Sequence, residues 1–156
     1  MPPAMLTERF VTQGPEETRK VAAGLAKDLR PGSVIALHGE LGAGKTCFVQ
    51  GLAEALGVTR TVNSPTYTLI SEHHGRMQLN HIDFYRIQNA NEALDVGLDE
   101  YLDGNGVTAI EWADRVDGLL PARTIYVYMQ AGAAPEERII TIRTFSENSN
   151  YEAPGL

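Results

Sequence analysis

The sequence predicts an α/β domain with a mixed, partly parallel central sheet and antiparallel hairpins, and three observations carry that prediction. An apolar strand candidate at 33–38 passes through a glycine-rich turn into an amphipathic helix pattern that stops at Gly57. Two strand candidates, 67–73 and 77–82, flank a short turn containing Gly75, and a second such pair, 124–130 and 138–145, lies near the end of the chain. Strand–helix alternation gives parallel neighbours, whereas short connections give antiparallel ones, so the sheet is mixed.

Each element has a local reason. Arg9-Phe10-Val11 reads as a short strand. Gly14-Pro15-Glu16-Glu17 then starts a helix, with proline at the first helical position and acids in the first turn. Val21, Leu25 and Leu29 recur every four residues beside Ala22 and Ala26, until Arg30-Pro31-Gly32 ends the pattern. After the strand at 33–38, Phe48, Val49, Leu52, Ala53 and Leu56 form the apolar face of a second helix. Short helices are expected near 91–96 and 98–102. Gly104-Asn105-Gly106 turns the chain into Val107-Thr108-Ala109-Ile110, an apolar run suited to a strand covered on both faces. No repeat or linker divides the 156 residues, so residues 1–156 read as a single domain, with a loose tail expected from Ser146.

Composition excludes several classes. No apolar run approaches the roughly 20 residues of a membrane span, and residues 1–8 have neither a basic start nor an apolar core, so no secretory signal is expected. With Cys47 the lone cysteine, no disulfide within the chain is possible, and a reducing, cytoplasmic setting is expected. The net charge is −7, and the segment 83–103 sets six acids against Arg86 alone. Such a balance opposes autonomous binding of nucleic acid, which depends on lysine and arginine neutralising phosphates. The acidic segment reads as a solvated face or as a docking surface for a basic partner.

The chemistry centres on Gly39-Glu40-Leu41-Gly42-Ala43-Gly44-Lys45-Thr46, which matches G-x-x-x-x-G-K-[ST] at every specified position. It lies between a strand and a helix, where free amides and the helix dipole favour an anion. Glycines leave the amides open to phosphate oxygens. Lys45 is then expected to reach the β- and γ-phosphates and Thr46 to coordinate Mg²⁺, with Cys47 beginning the helix. This makes the fold a three-layer domain of the P-loop NTPase type. Magnesium also needs a carboxylate nearby. Glu111, at the end of the apolar strand, is favoured as the metal ligand, directly or through water. Asp83, at the end of a strand that alternates, is the competing choice and is favoured as a group that supports the metal's ligands from behind or positions the water. Either acid alone would serve equally as a strand-end cap. Ser64-Pro65-Thr66-Tyr67-Thr68-Leu69 has hydroxyls on a loop, suited to sensing a γ-phosphate, or else forms a plain turn into a strand.

Gly42-Ala43-Gly44-Lys45-Thr46, Ser64-Pro65-Thr66, His81-Ile82-Asp83-Phe84-Tyr85-Arg86 and Glu111-Trp112-Ala113-Asp114-Arg115, in this order and spacing, resemble the bacterial TsaE (YjeE) ATPases. The resemblance spans roughly 10–145. It implies an ATPase that docks on a TsaB–TsaD assembly, which threonylcarbamoylates the adenosine beside the tRNA anticodon, so that tRNA is met only through the assembly. Carried over by position, it implies ATP or ADP held by residues 39–47, Mg²⁺ by Thr46 and Glu111, a nucleotide-responsive loop at Ser64 and Thr66, and help with hydrolysis from Asp83. Cys47 stands where another threonine is common in the family.

Two rivals remain at this level. A small-molecule kinase of the phosphate-loop class would need an arginine-rich lid, and no segment gathers several arginines. A guanine-nucleotide switch would need Asn-Lys-x-Asp, which is absent from the sequence. His81 and Asp83 share a strand face, suiting a hydrogen bond in the nucleotide site better than a transition-metal site. No arginine stands out as placed to assist hydrolysis in cis. Trp112, the single tryptophan, is placed to report on the site, and the 11–14 turn and the hairpin near Gln130 are weak candidates for base contacts.

Overall fold

A computed structural model describes residues 5–40, 42–59 and 70–145. Seven strands form one sheet in the order β1-β7-β6-β2-β5-β4-β3. The strands are β1 (Met5–Thr12), β2 (Val34–His38), β3 (Ile70–His74), β4 (Gln78–Asp83), β5 (Val107–Glu111), β6 (Ile125–Ala131) and β7 (Arg138–Phe145). The central strand β2 runs parallel to β5 and β6, and β5 runs parallel to β4. Both expected hairpins, β3–β4 and β6–β7, are antiparallel, and β1 adds an antiparallel edge against β7.

Helix α1 (Pro15–Ala26) starts as its sequence dictates: Pro15 occupies the first turn, and the Glu17 carboxylate accepts the Gln13 amide at 2.8 Å. Helix α2 (Lys45–Ala55) packs beside it, so closely that a Cβ on Gly51 would lie 2.6 Å from the Arg19 carbonyl oxygen. The short helices α3 (Ala90–Asp95) and α4 (Leu98–Leu102) form as expected. Asn89 caps α3 by accepting the Glu92 amide at 3.1 Å, while the Glu92 side chain accepts the Gln88 amide at 2.9 Å. Two one-turn 3₁₀ helices, Ala113–Arg115 and Asp117–Leu119, follow β5 and were not expected from the sequence.

Strand alternation sorts the core into two halves. Ile35, Leu37, Leu79, Val107 and Ala109 face α1 and α2. Val34, Ala36, Ile82 and Ile110 face α3, α4 and the 3₁₀ turn at Ala113. The result is the expected three-layer α/β arrangement, and β5 is buried along its whole length. β4 differs from the alternating strand expected: Leu79, Asn80, His81 and Ile82 are all buried. The reason is position, because β4 lies between β5 and β3. Its polar Asn80 is satisfied inside by Thr108 at 3.3 Å and Gln78 at 2.7 Å. The 146–156 tail and the 67–69 start expected for the first hairpin lie outside the described residues.

Candidate functional site

The phosphate-loop sequence follows the C-terminal end of β2, the central strand, and leads into α2. In open α/β sheets the carboxyl ends of parallel strands are where ligands bind. Two backbone features need glycine. Gly44, the N-cap of α2, has φ +102° in the left-handed region, and a Cβ on Gly39 would lie 2.6 Å from the Met129 carbonyl oxygen. Gly42 is also left-handed, at φ +83°, while Ala43 is buried and donates its amide to Glu40 at 3.0 Å. Leu41 lies outside the described residues.

Lys45 is only 4% exposed. Its ammonium donates to the Gly39 carbonyl and stands 3.6 Å from the centre of the Trp112 ring, a cation–π contact. Desolvation lowers its pKa, and the carboxylates of Glu111, Asp83, Asp114 and Glu40 act in the opposite direction. Lys45 is thus a buried cation whose charge is balanced by the carboxylates around it. Trp112 has φ +60°, the one non-glycine residue with positive φ among those described. A left-handed tryptophan is a backbone outlier of the kind found where structure is held for function.

The two competing acids sit side by side. Asp83 and Glu111 are register partners at the ends of parallel β4 and β5, and the Phe84 amide closes the pair on the Glu111 carbonyl at 3.1 Å. Leu79, His81 and Asp83 share the sheet face turned toward α2, as do Ala109 and Glu111. Glu111 is 3% exposed, and its Oε2 accepts the Thr46 hydroxyl at 3.0 Å and lies 2.5 Å from the His81 Nε2. Asp83 is half-buried, and its Oδ1 accepts the Tyr85 amide at 2.9 Å. Asp83 and Glu111, far from Lys45 and Thr46 in the sequence, are thus gathered with them at one place. Ser64 and Thr66 lie outside the described residues.

Cys47 is the third residue of α2, in its first turn, where the helix dipole favours a thiolate. Burial outweighs that and raises the thiol pKa, with Arg19 and Arg138 opposing. The Cys47 Sγ also lies 3.4 Å from the Pro15 carbonyl oxygen. The sequence did not single out Arg138, whose Nη2 reaches the Gly42 carbonyl at 3.3 Å while Nη1 donates to Pro135 and Glu137 carbonyls at 2.8 Å. Only the register of β6 with β7 could have placed it there. The 11–14 turn and the β6–β7 hairpin also meet beside the loop: Gln13 donates to Glu137 at 3.3 Å, and Thr12 pairs with Arg138.

The family described as "Threonylcarbamoyl adenosine biosynthesis protein TsaE" matches residues 12–140 of this chain. The chain belongs to the TsaE family. Among its TsaE relatives, the tRNA threonylcarbamoyladenosine biosynthesis protein TsaE of Bacillus subtilis is 46% identical over 134 residues, covering 85% of this chain and 83% of the relative. The protein of the same name from Treponema pallidum is 40% identical over 134 residues, covering 86% and 98%. The crystal structure of Bacillus subtilis YdiB superposes with a TM-score of 0.77 at 36% identity, covering 95% of this chain and 97% of that one. The TsaE resemblance read from the motifs therefore holds, and TsaE proteins take part in tRNA threonylcarbamoyladenosine biosynthesis. Among the described residues, no helix is long and apolar enough to cross a membrane.

Proposed function

We propose that this TsaE-family chain is a magnesium-dependent ATPase that supports a TsaB–TsaD assembly in threonylcarbamoylation of tRNA. One observation carries the reading: the hydroxyl of Thr46, in the phosphate-loop sequence, is hydrogen-bonded at 3.0 Å to a buried carboxylate delivered by the neighbouring parallel strand.

That donor set fits magnesium. Mg²⁺ takes oxygen ligands, keeps several waters and uses one or two protein groups plus substrate phosphates. Thr46 and Glu111, joined at 3.0 Å, are the groups that would hold it. When bound, the ion would supply positive charge to neutralise the triphosphate oxygens. Thr46 serves well because its proton already goes to Glu111, which leaves an oxygen lone pair for the cation. Lys45 exchanges the Gly39 carbonyl for phosphate oxygens, and the loop amides orient the triphosphate. Asp83, adjacent to Glu111, accepts a hydrogen bond from the attacking water and aligns it; the new P–O bond to that water forms as the bond from the γ-phosphorus to the ADP oxygen breaks, the water's proton passes to the phosphate oxygens, and ADP and inorganic phosphate leave.

Calorimetry with ADP and Mg²⁺ should show saturable binding that is lost in Lys45→Ala, and no heat at millimolar nucleotide would end this reading. The pathway role is tested by reconstitution with tRNA, TsaB and TsaD. Repeated modification cycles should require the intact chain, and equal cycling with Lys45→Ala would refute a role for nucleotide turnover. Phosphate release without an acceptor distinguishes this from the small-molecule kinase reading.

A further inference from the structure

His81 is completely buried, at 0% exposure, and its side chain points across the sheet at the one carboxylate that also holds Thr46. The register explains the reach. His81 pairs with Ala109, two residues before Glu111 on the same face of β5, so the imidazole and the carboxylate are diagonal neighbours. Nε2 lies 2.5 Å from Glu111 Oε2, while Nδ1 is buried with no hydrogen-bond partner among the described residues. These two facts select a tautomer. A hydrogen on Nδ1 would leave a donor unpaired in the core and would set the Nε2 lone pair against a carboxylate oxygen, so the hydrogen belongs on Nε2.

We infer that His81 is a positioning residue for the metal site: its Nε2–H locks Oε2 of Glu111 and so turns the other carboxylate oxygen toward the cation and its water shell. The inference rests on the reading of Glu111 and Thr46 as the magnesium-holding pair. Two donors converge on Oε2, the Thr46 hydroxyl and the His81 ring. Oε1 accepts from neither, and that asymmetry fixes which oxygen remains for the ion. Without the ring, Glu111 would keep only the Thr46 bond, which a flexible carboxylate can follow through several rotamers. Outer-shell partners of metal ligands commonly contribute about 10–100-fold in metal affinity.

The test is a Mg²⁺ titration at fixed ADP, followed by calorimetry, on the full chain and on His81→Leu and His81→Gln. Glutamine keeps an N–H donor at about the position of Nε2; leucine does not. His81→Leu should raise the Mg²⁺ concentration for half-saturation by about 10-fold or more, with the affinity for ADP in EDTA within about two-fold of the natural chain, and His81→Gln should recover most of the loss. A leucine variant that titrates like the natural chain, or leucine and glutamine variants shifted equally, would overturn the positioning role. Nitrogen-15 NMR of the natural chain gives a check that needs no variant to fold: the ring should show the Nε2–H tautomer, and an Nδ1–H ring would refute the assignment. Failure of the underlying reading looks different, because the natural chain would then bind ADP equally well in EDTA and in Mg²⁺.

Discussion

Lys45 and Trp112 are coupled directly, with the ammonium 3.6 Å from the ring centre. A phosphate that draws Lys45 off the ring changes the indole's electrostatic surroundings. Trp112 emission should therefore shift when ADP and Mg²⁺ are added, and the shift should be absent in Lys45→Ala; a mutant that responds like the natural chain would show that the tryptophan reports on something else. Asp83 and Glu111 make separable predictions. Asp83→Asn should lower turnover by about 10²- to 10⁴-fold, in keeping with loss of a group that aligns the nucleophile, while leaving MgADP affinity within a few-fold. Equal losses of binding and turnover would place Asp83 on the ground-state ligand instead. Cys47 provides the pH test. Its raised pKa means that the thiol stays protonated, hence unreactive, through neutral pH. Alkylation by iodoacetamide should be slow at pH 7 and should accelerate with an inflection above that of a free thiol, whereas an inflection below it would mean that the helix dipole and the arginines prevail over burial.

At the scale of elements, stability and function can be separated. The α1–α2 contact depends on Gly51, since a Cβ there would meet Arg19 backbone at 2.6 Å and the Ala22 side chain at 2.9 Å. Gly51→Ala should destabilise the fold by roughly 1–3 kcal/mol, as overpacking generally does, and should disturb the helix that bears Lys45 and Thr46. Asn89→Ala removes the α3 cap and should cost about 1 kcal/mol with MgADP affinity unchanged, because α3 packs on the opposite face of the sheet from α2. Urea unfolding combined with calorimetry checks both; a nucleotide-binding defect in Asn89→Ala would mean that the two layers are coupled. The same layering explains why β4 misled as an alternating strand. Its Asn80 and His81 are polar in sequence yet buried, each meeting a partner on β5: Thr108 for the Asn80 amide and Glu111 for the Nε2 of His81. Only the parallel β4–β5 register supplies those partners, and a single sequence does not reveal register.

For the whole molecule, the arrangement of cations bears on the rate of hydrolysis. An arginine placed on the transition state is worth on the order of 10³–10⁵ in rate. Arg138 does come to the phosphate-loop sequence, but three of its N–H groups hold it to the carbonyls of Gly42, Pro135 and Glu137. The chain alone should therefore hydrolyse ATP slowly and should accelerate with TsaB–TsaD in single-turnover measurements; a rate already fast and indifferent to partners would show that the site is complete by itself. Local patterning determined the strands and α-helices, their order and the phosphate-loop motif, though not the two 3₁₀ turns after β5, because helix starts, apolar periodicity and a G-x-x-x-x-G-K-T turn are short-range chemistry written in adjacent residues. The motifs also determined the family, since the Ser-Pro-Thr, His-x-Asp and Glu-Trp segments are specific in combination. Tertiary structure alone decided which carboxylate meets Thr46, that His81 shares that carboxylate, that Trp112 lies under Lys45 and that Arg138 reaches Gly42. Each of these contacts joins strands or loops distant in the chain. Their distances depend on sheet order and register, which arise from how the whole core packs and from no single segment.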